Sequence, residues 1–351
     1  MKTTNIIKHF LVICSIFLSG SLLPFVFSSG YSSFLLLFTG LLTFIVFVLH
    51  KTTYKVNFLI FLFLIIAFLG ILFFIREDFQ SVSTYFGFYF RFFIAFLLVS
   101  LIDRDFFIRS YTNFFVYYGF FSLIMYVIGL IFPEFIYSLP TSYNDAGTGY
   151  RHLYIYFYQG IELWNFRNAG IFWEAGAFQV FLVLALIFES FILKGNKIRR
   201  IILILSIIST FSIIGIVILG LFVGLFLFNK KSKMAFLTPI LLIPLVLTNG
   251  YIQDIMDAKF AGNHSSGNER LVGQIADIKV WTDYPLFGAG LERYEQVFKA
   301  YGYELGAEIP TSTNSFTGMM ALNGLLYSLL IFTSLFLFVF SLKISLKEKL
   351  L

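Results

Sequence analysis

The chain reads as an all-α, polytopic integral membrane protein, and three observations carry that reading. Its mean hydropathy is +0.87 and 59% of its residues are hydrophobic, Phe alone contributing 49 of 351. Apolar runs of roughly 20 residues recur along it, the length that spans a hydrocarbon core about 30 Å thick. Lys and Arg flank those runs, and only a helix satisfies its own backbone hydrogen bonds across lipid.

The runs cover residues 6–27, 30–49, 56–75, 86–102, 113–135, 176–193, 201–228, 234–249 and 316–341. The first follows Lys2 and Lys8; it is long and no A-x-A site follows it, so it reads as a signal anchor and not a cleaved peptide. Cys14 inside it is the single cysteine, which excludes an intramolecular disulfide and a cysteine-based metal site. The run 201–228 is anomalous, because 28 residues make a helix of about 42 Å. It also has cations on both flanks, Lys194, Lys197, Arg199 and Arg200 before it and Lys230, Lys231 and Lys233 after. Both flanks favour the cytoplasm, so the segment is expected to enter and return, turning at Thr210-Phe211-Ser212-Ile213-Ile214-Gly215 as two short helices or a re-entrant hairpin. About ten crossings follow, in a single membrane domain over 1–351 with both termini cytoplasmic.

Charge sorting supports this topology. The inner loops then hold Lys2, Lys8, Lys51, Lys55, Arg104, Arg109, the seven cations just named, Lys343, Lys347 and Lys349, against eight cations outside and Arg91 within a span. Among the acids only Asp103, Asp105, Glu189 and Glu348 fall inside, leaving 15 of 19 outside. A sequence pI of 9.2 therefore reflects sorting between two faces; with no soluble basic domain, a nucleic-acid partner is excluded.

Two segments keep polar, aromatic and Arg-bearing sequence, 136–175 and 250–315, and both are placed as extracytoplasmic loops. Intramembrane and loop polarity is where a polytopic protein concentrates its chemistry. In the second loop, Asn268 to Trp281 reads as an amphipathic helix with Leu271, Ile275 and Ile278 on one face, opened by a capping box from Ser266 to Glu269. Pro285, Gly288 and Gly290 break it, and Leu291, Tyr294, Val297, Phe298 and Tyr301 recur at helical spacing. Two short helices lying on the membrane surface are expected. In the first loop, a helix starting near Arg167 would put Glu174 two turns along the same face. Arg167 is then either an interfacial cation beside a Trp belt, with Glu174 near a helix N-terminus, or a phosphate clamp oriented by a carboxylate.

The order of motifs resembles a known family. Arg167-Asn168-Ala169-Gly170-Ile171-Phe172-Trp173-Glu174-Ala175-Gly176 precedes an apolar helix, and Thr210 to Gly215 interrupts the next apolar stretch. Asn268 to Tyr294 (N-E-R-L-V-G-Q-I-A-D-I-K-V-W-T-D-Y-P-L-F-G-A-G-L-E-R-Y) and Thr311 to Phe316 (T-S-T-N-S-F) then lead to a last span holding Asn323-Gly324. From Arg167 to the C-terminus the chain resembles the O-antigen polymerase and ligase superfamily. That resemblance implies a bacterial inner-membrane enzyme, acting without metal or cofactor on oligosaccharides carried by undecaprenyl pyrophosphate at the outer face. It implies that Arg167 and Arg270 contact the pyrophosphate leaving group, where fixed guanidinium groups stabilise developing charge, and that Glu174 orients a group or handles a proton. Its implied partners are the lipid-linked oligosaccharide, membrane lipids, a chain-length regulator and a flippase.

Two departures stand out. Glu174-Ala175 replaces the family's usual Glu-Pro, and Thr313-Asn314 stands where ligases carry His-Asn, which moves the expectation from ligase toward repeat-unit polymerase. Arg91, Arg151, Arg293 and Asn314 are further substrate-binding candidates. For three of them a plainer role competes: helix packing for Arg91, a lipid-facing surface cation for Arg293, a helix N-cap for Asn314. His152 and His264 are loop histidines whose usual fate is to be solvated. Transport is the alternative from another class, disfavoured because the polar loop mass lies in one half of the chain and not in two matching halves.

The topology has a direct test. In a Cys14→Ser background, cysteines introduced at Thr148 and Ser265 are expected to react with an impermeant thiol reagent in spheroplasts, and one at Ser232 is not. Labelling at Ser232 would overturn the hairpin reading of 201–228.

Overall fold

The computed structural model describes residues 2–20, 29–49, 67, 70–71, 73–75, 82–143, 149–159, 167–229, 266–307 and 316–341. The apolar run 234–249, most of 56–75, His264 and Asn314 lie outside these residues. Four described helices are long and apolar enough to cross a membrane, over Thr84–Leu101, Arg104–Ile131, Ala175–Ile192 and Phe316–Ser334. The chain divides into two compact units, one comprising Met1–Thr52, Arg91–Asn249 and Ile344–Leu351, the other Thr53–Phe90 and Gly250–Lys343.

In the first unit, α1 (Lys2–Gly20), α2 (Ser29–Leu49) and the part of α3 (Val82–Leu101) from Arg91 onward precede the long α4 (Arg104–Ile131). A short α5 (Pro133–Ser138) follows, with Pro at its first turn, where no amide hydrogen is needed. Three strands come next, β1 (Thr141–Tyr143), β2 (Gly149–His152) and β3 (Phe157–Gln159), then α6 (Ala175–Ile187) with a π-helical turn at Phe188–Ile192. The unit closes on α7 (Lys197–Ser209) and α8 (Ile213–Asn229). Helices α4, α6 and α7 pack mutually; α1 leans on α4, and α8 on α6 and α7. Large rings fill the α4–α6 seam, with Phe172 stacked on Phe181 at 4.5 Å between centroids and Phe178 at 5.5 Å.

The expected break in 201–228 is present. α7 ends at Ser209 with Thr210 as its C-cap, Phe211 takes a positive φ of 44°, and α8 starts at Ile213. The hydroxyl of Thr210 donates to Ile207 O at 2.7 Å and accepts from Ser212 N at 3.4 Å, so one threonine side chain stands in at the break for backbone bonds of a continuous helix. At 13 and 17 residues the two helices are about 20 and 26 Å long, and neither replaces the single 42 Å rod that an unbroken run would form.

The strands form an antiparallel sheet in the order β1-β2-β3, an addition to the all-α expectation. Its signal was in the sequence: Tyr150, His152, Tyr154, Tyr156 and Tyr158 alternate with period two. Tyr156 and Tyr158 are buried in a cluster with Met125, Tyr126, Ile136 and Leu139, which seats the sheet on the end of α4 and on α5.

The second unit holds α9 (Ser266–Asp283), α10 (Gly290–Glu304) and α11 (Phe316–Ser341). The two loop helices fall where their spacing predicted. The stripe Leu271, Ile275 and Ile278 does share a face of α9, but the exposed one, at 54%, 38% and 45%. The face toward the protein is built from Gly273, Ala276, Asp277 and Val280, small residues that let α9 lie close to α11.

A backbone junction between two glycine motifs positions these helices. Gly324 interrupts α11 with φ 78° and ψ 175°, and the turn 285–290 docks into the break. Leu325 N donates to Pro285 O at 2.9 Å, Leu326 N to Leu286 O at 3.3 Å, and Ala289 N to Ala321 O at 2.9 Å, so loop carbonyls satisfy the amides exposed where the helix restarts. A Cβ at Gly324 would collide with Leu286 O, and one at Gly288, itself at φ +72°, with Leu322 O. Gly324→Ala or Gly288→Ala is therefore expected to lower stability by more than about 2 kcal/mol, read as a loss of thermal stability in detergent, because positive φ and a backbone clash both oppose the methyl. Unchanged melting of both variants would show that the junction does not hold α11.

Candidate functional site

The segment Arg167–Glu174 is not helical; α6 begins at Ala175, with Glu174 as its N-cap at φ −151° and ψ 155°. Arg167 and Glu174 therefore do not occupy successive turns of one helix face. The reason is local. Gly170 adopts φ +60°, where a Cβ would press on Tyr118 and Phe178, and Asn168 is drawn into the bundle by its side chain.

Asn168 is 0% exposed and its amide is fully engaged. Its Nδ2 donates to Ser122 Oγ at 3.1 Å and Ser209 Oγ at 2.9 Å, its Oδ1 accepts from the Tyr156 hydroxyl at 3.2 Å, and its backbone N donates to Ser209 O at 3.0 Å. Four pieces of chain meet at one side chain: α4, the strand connection, the Arg167 segment and the end of α7. Phe157 N to Gly170 O at 2.8 Å and the Tyr118 hydroxyl to Ile155 O at 2.9 Å add two more ties.

This scaffold places Arg167, whose Nε donates to Thr210 O at 2.9 Å. The motif Thr210–Gly215 and the motif at Arg167 are thus in contact, one carbonyl fixing the plane of the half-buried guanidinium. Glu174 is half-buried and its carbonyl receives Phe178 N. Arg151, on β2, donates to Ile136 O at 3.1 Å and lies 4.8 Å over the Tyr137 ring, a cation–π contact that makes it part of the sheet's seat on α5. Arg91 is exposed near the middle of α3.

In the second unit, Arg270 is exposed on the second turn of α9 and Arg293 in the first turn of α10. Arg293 borders a cavity of about 270 Å³ walled by Tyr284, Leu286, Phe287, Gly288 and Ala289. Arg270 and Arg293 belong to this unit, Arg91, Arg151 and Arg167 to the first. Among the described residues no group of three or more His, Cys, Asp or Glu is placed to hold a metal ion.

Asp277 was missed from sequence. It is 0% exposed, and its two oxygens accept from the Tyr294 hydroxyl at 2.7 Å and the Thr317 hydroxyl at 3.1 Å. The signal available was an acid at i+4 and i−3 from Gly273 and Val280, in phase with the small and apolar residues of the helix.

No family model, curated protein or solved structure matches the chain.

His152 is 3% exposed and not solvated, its Nε2 3.0 Å from Ser142 Oγ across the sheet. Burial pushes its pKa below the ordinary 6.5, so the unfolded chain binds the proton more tightly than the native state. Its contribution to stability is complete above about pH 6.5 and is lost as pH falls through that value toward the lower native one. Thermal melting between pH 7.5 and pH 5 is expected to fall in the wild type and to fall less steeply in His152→Gln, which keeps a polar group facing Ser142. Parallel curves would remove His152 as a source of the acid sensitivity.

Proposed function

We propose that this protein is a glycosyltransferase of the outer face of a bacterial cytoplasmic membrane, which joins oligosaccharide repeat units carried on undecaprenyl pyrophosphate. The observation that supports it best is the tethering of Arg167. A guanidinium held through Nε to the Thr210 carbonyl, on a segment locked by Asn168, is oriented before any ligand arrives. Departure of a pyrophosphate from an anomeric carbon concentrates negative charge on phosphate oxygens, and an oriented planar fork lowers that barrier without reorganising. The family resemblance assigns a second such cation to Arg270 of the other polar loop. Glu174, at the N-cap position of α6, is the carboxylate of the same sequence motif as Arg167 and is assigned to orient the acceptor or take its proton.

Transfer to the next lipid-linked unit is preferred to transfer onto a separate acceptor, because Thr313 stands where ligases have His. One observation favours the transport class: Gly324 breaks a helix long enough to span the membrane, and broken spans line the sites of many transporters. The loop carbonyls that close this break answer the same hydrogen-bonding need without a substrate.

Two measurements separate these readings. A deletion strain is expected to lose long-chain surface polysaccharide and keep single repeat units; accumulation of finished polymer on the lipid carrier would indicate the ligase, and of untranslocated single units the flippase. Arg167→Ala and Arg270→Ala are each expected to cut polymer formation about a hundred- to thousand-fold at unchanged protein abundance, the loss of one contact made mainly in the transition state. Arg→Lys is expected to recover little, since an ammonium cannot reproduce the two-bond fork. Lys299→Ala, which removes an exposed cation paired with Glu295 at 2.7 Å, serves as control. Normal ladders from both Ala variants would return these arginines to a lipid-anchoring role.

A further inference from the structure

Asp277 sits among Gly273, Ala276 and Val280 on the face of α9 turned toward α11, where an apolar residue would pack at no electrostatic cost. Taking a carboxylate out of water costs several kcal/mol unless its lone pairs are satisfied. Here each oxygen is satisfied by a different element, Oδ1 by Tyr294 of α10 and Oδ2 by Thr317 at the start of α11. Those partners have telling neighbours. Tyr294 follows Arg293, which borders the 270 Å³ cavity; Thr317 lies three residues after Asn314; and Arg270 is seven residues before Asp277, two turns away on the same side of α9.

We infer that Asp277 is a positioning residue of the outer site: it touches no substrate, and acts by fixing the rotation of α10 so that Arg293 faces the cavity. Helix α10, 15 residues long, rests on α9 through Tyr294, Val297, Phe298 and Tyr301. Its far half is also tied by the Tyr301 hydroxyl donating to Asp283 at 2.7 Å and by Lys279 paired with Glu304, both exposed. Near Arg293 the buried tie is Tyr294 to Asp277, and rolling that end by one residue turns Arg293 through about 100°. The short bond to Asp277 opposes that roll, because a phenol swung away strands a buried carboxylate with one donor fewer. The inference rests on the glycosyl-transfer reading and adds to it a residue, and a cavity, that the two-arginine clamp does not use.

The test is a double-mutant cycle in the purified protein, with rate of polymer formation from lipid-linked repeat units normalised to folded enzyme. Asp277→Asn is expected to slow the reaction about ten-fold, and Arg293→Ala by a similar factor. Combined, they are expected to cost no more than Arg293→Ala alone, because a positioning residue has nothing left to position. Losses that multiply, or an Asp277→Asn enzyme as fast as wild type, would overturn the inference. Thr317→Ser, which keeps the hydroxyl, is expected to match wild type where Thr317→Val does not, and this pair reports on the same carboxylate should Asp277→Asn fail to fold. A wild-type protein that forms no polymer defeats the glycosyl-transfer reading instead. The pin is then judged by hydrogen exchange over residues 290–304, which is faster in Asp277→Asn than in wild type if α10 is held this way and identical if it is not.

Discussion

Non-helical backbone beside a membrane-spanning bundle must find hydrogen-bond partners within the protein, and the Asn168 amide is where this chain meets that demand. One side chain reaches Ser122 on α4, Ser209 on α7 and Tyr156 beside the sheet. In a low-dielectric interior each such bond is strong, and each would be costly to leave unmade. The arrangement is therefore close to all-or-none. If Asn168 leaves, the Arg167 segment loses its register against α7, and with it the carbonyl of Thr210 that orients the guanidinium. The rigidity of a charged group at the surface of this unit is inherited from a neutral group at its centre.

The second unit meets the same demand with glycine. Breaking α11 at Gly324 exposes amides that water would normally satisfy, and the turn 285–290 presents Pro285 and Leu286 carbonyls to them. Approach that close is open only to chains without Cβ atoms at both contact points, which is why Gly288 and Gly324 face one another. Asn168 specifies by supplying partners; Gly288 and Gly324 specify by supplying nothing. Both tie together motifs distant in sequence, 167–170 with 209–210 and 285–289 with 321–326.

How much of this was legible in sequence depends on the range of the cause. The break at Thr210 and the helices α9 and α10 are local events, written in hydroxyl, glycine and proline positions and in periodicity, and they appear where that chemistry put them. The run 176–193 marks α6 to within a residue of its start at Ala175, but the helical alternative for 167–174 fails for a long-range reason: Asn168 is held by Ser122 and Ser209, 46 and 41 residues away. The sheet is harder to read because its strands are only three or four residues long, too short for a period of two in a tyrosine-rich stretch to stand out from the apolar runs around it. Asp277 escaped for a related reason: an acid in a polar loop suggests a solvated face, and only the packing of α9 on α11 shows that this face is closed.

The cations divide along similar lines. Lys194, Lys197, Arg199 and Arg200 were read as topology signals, yet Arg199 Nε lies 2.9 Å from Glu189 Oε1, a close ion pair without hydrogen-bond alignment, and its Nη2 donates to Asn113 Oδ1 at 2.7 Å. Glu189 is 1% exposed, on the π-helical turn that ends α6. A cation so engaged serves the fold, but this does not weaken the topological argument. The sorting of loops counts Lys and Arg near the ends of spans and gives acids little weight, and it acts as spans insert, before α6 and α7 have packed. The same guanidinium can thus set the side of the membrane first and bind α4, α6 and α7 together afterwards. Arg167 belongs to the opposite case: the same count expects it on the cation-poor side, where topology does not itself call for a positive charge.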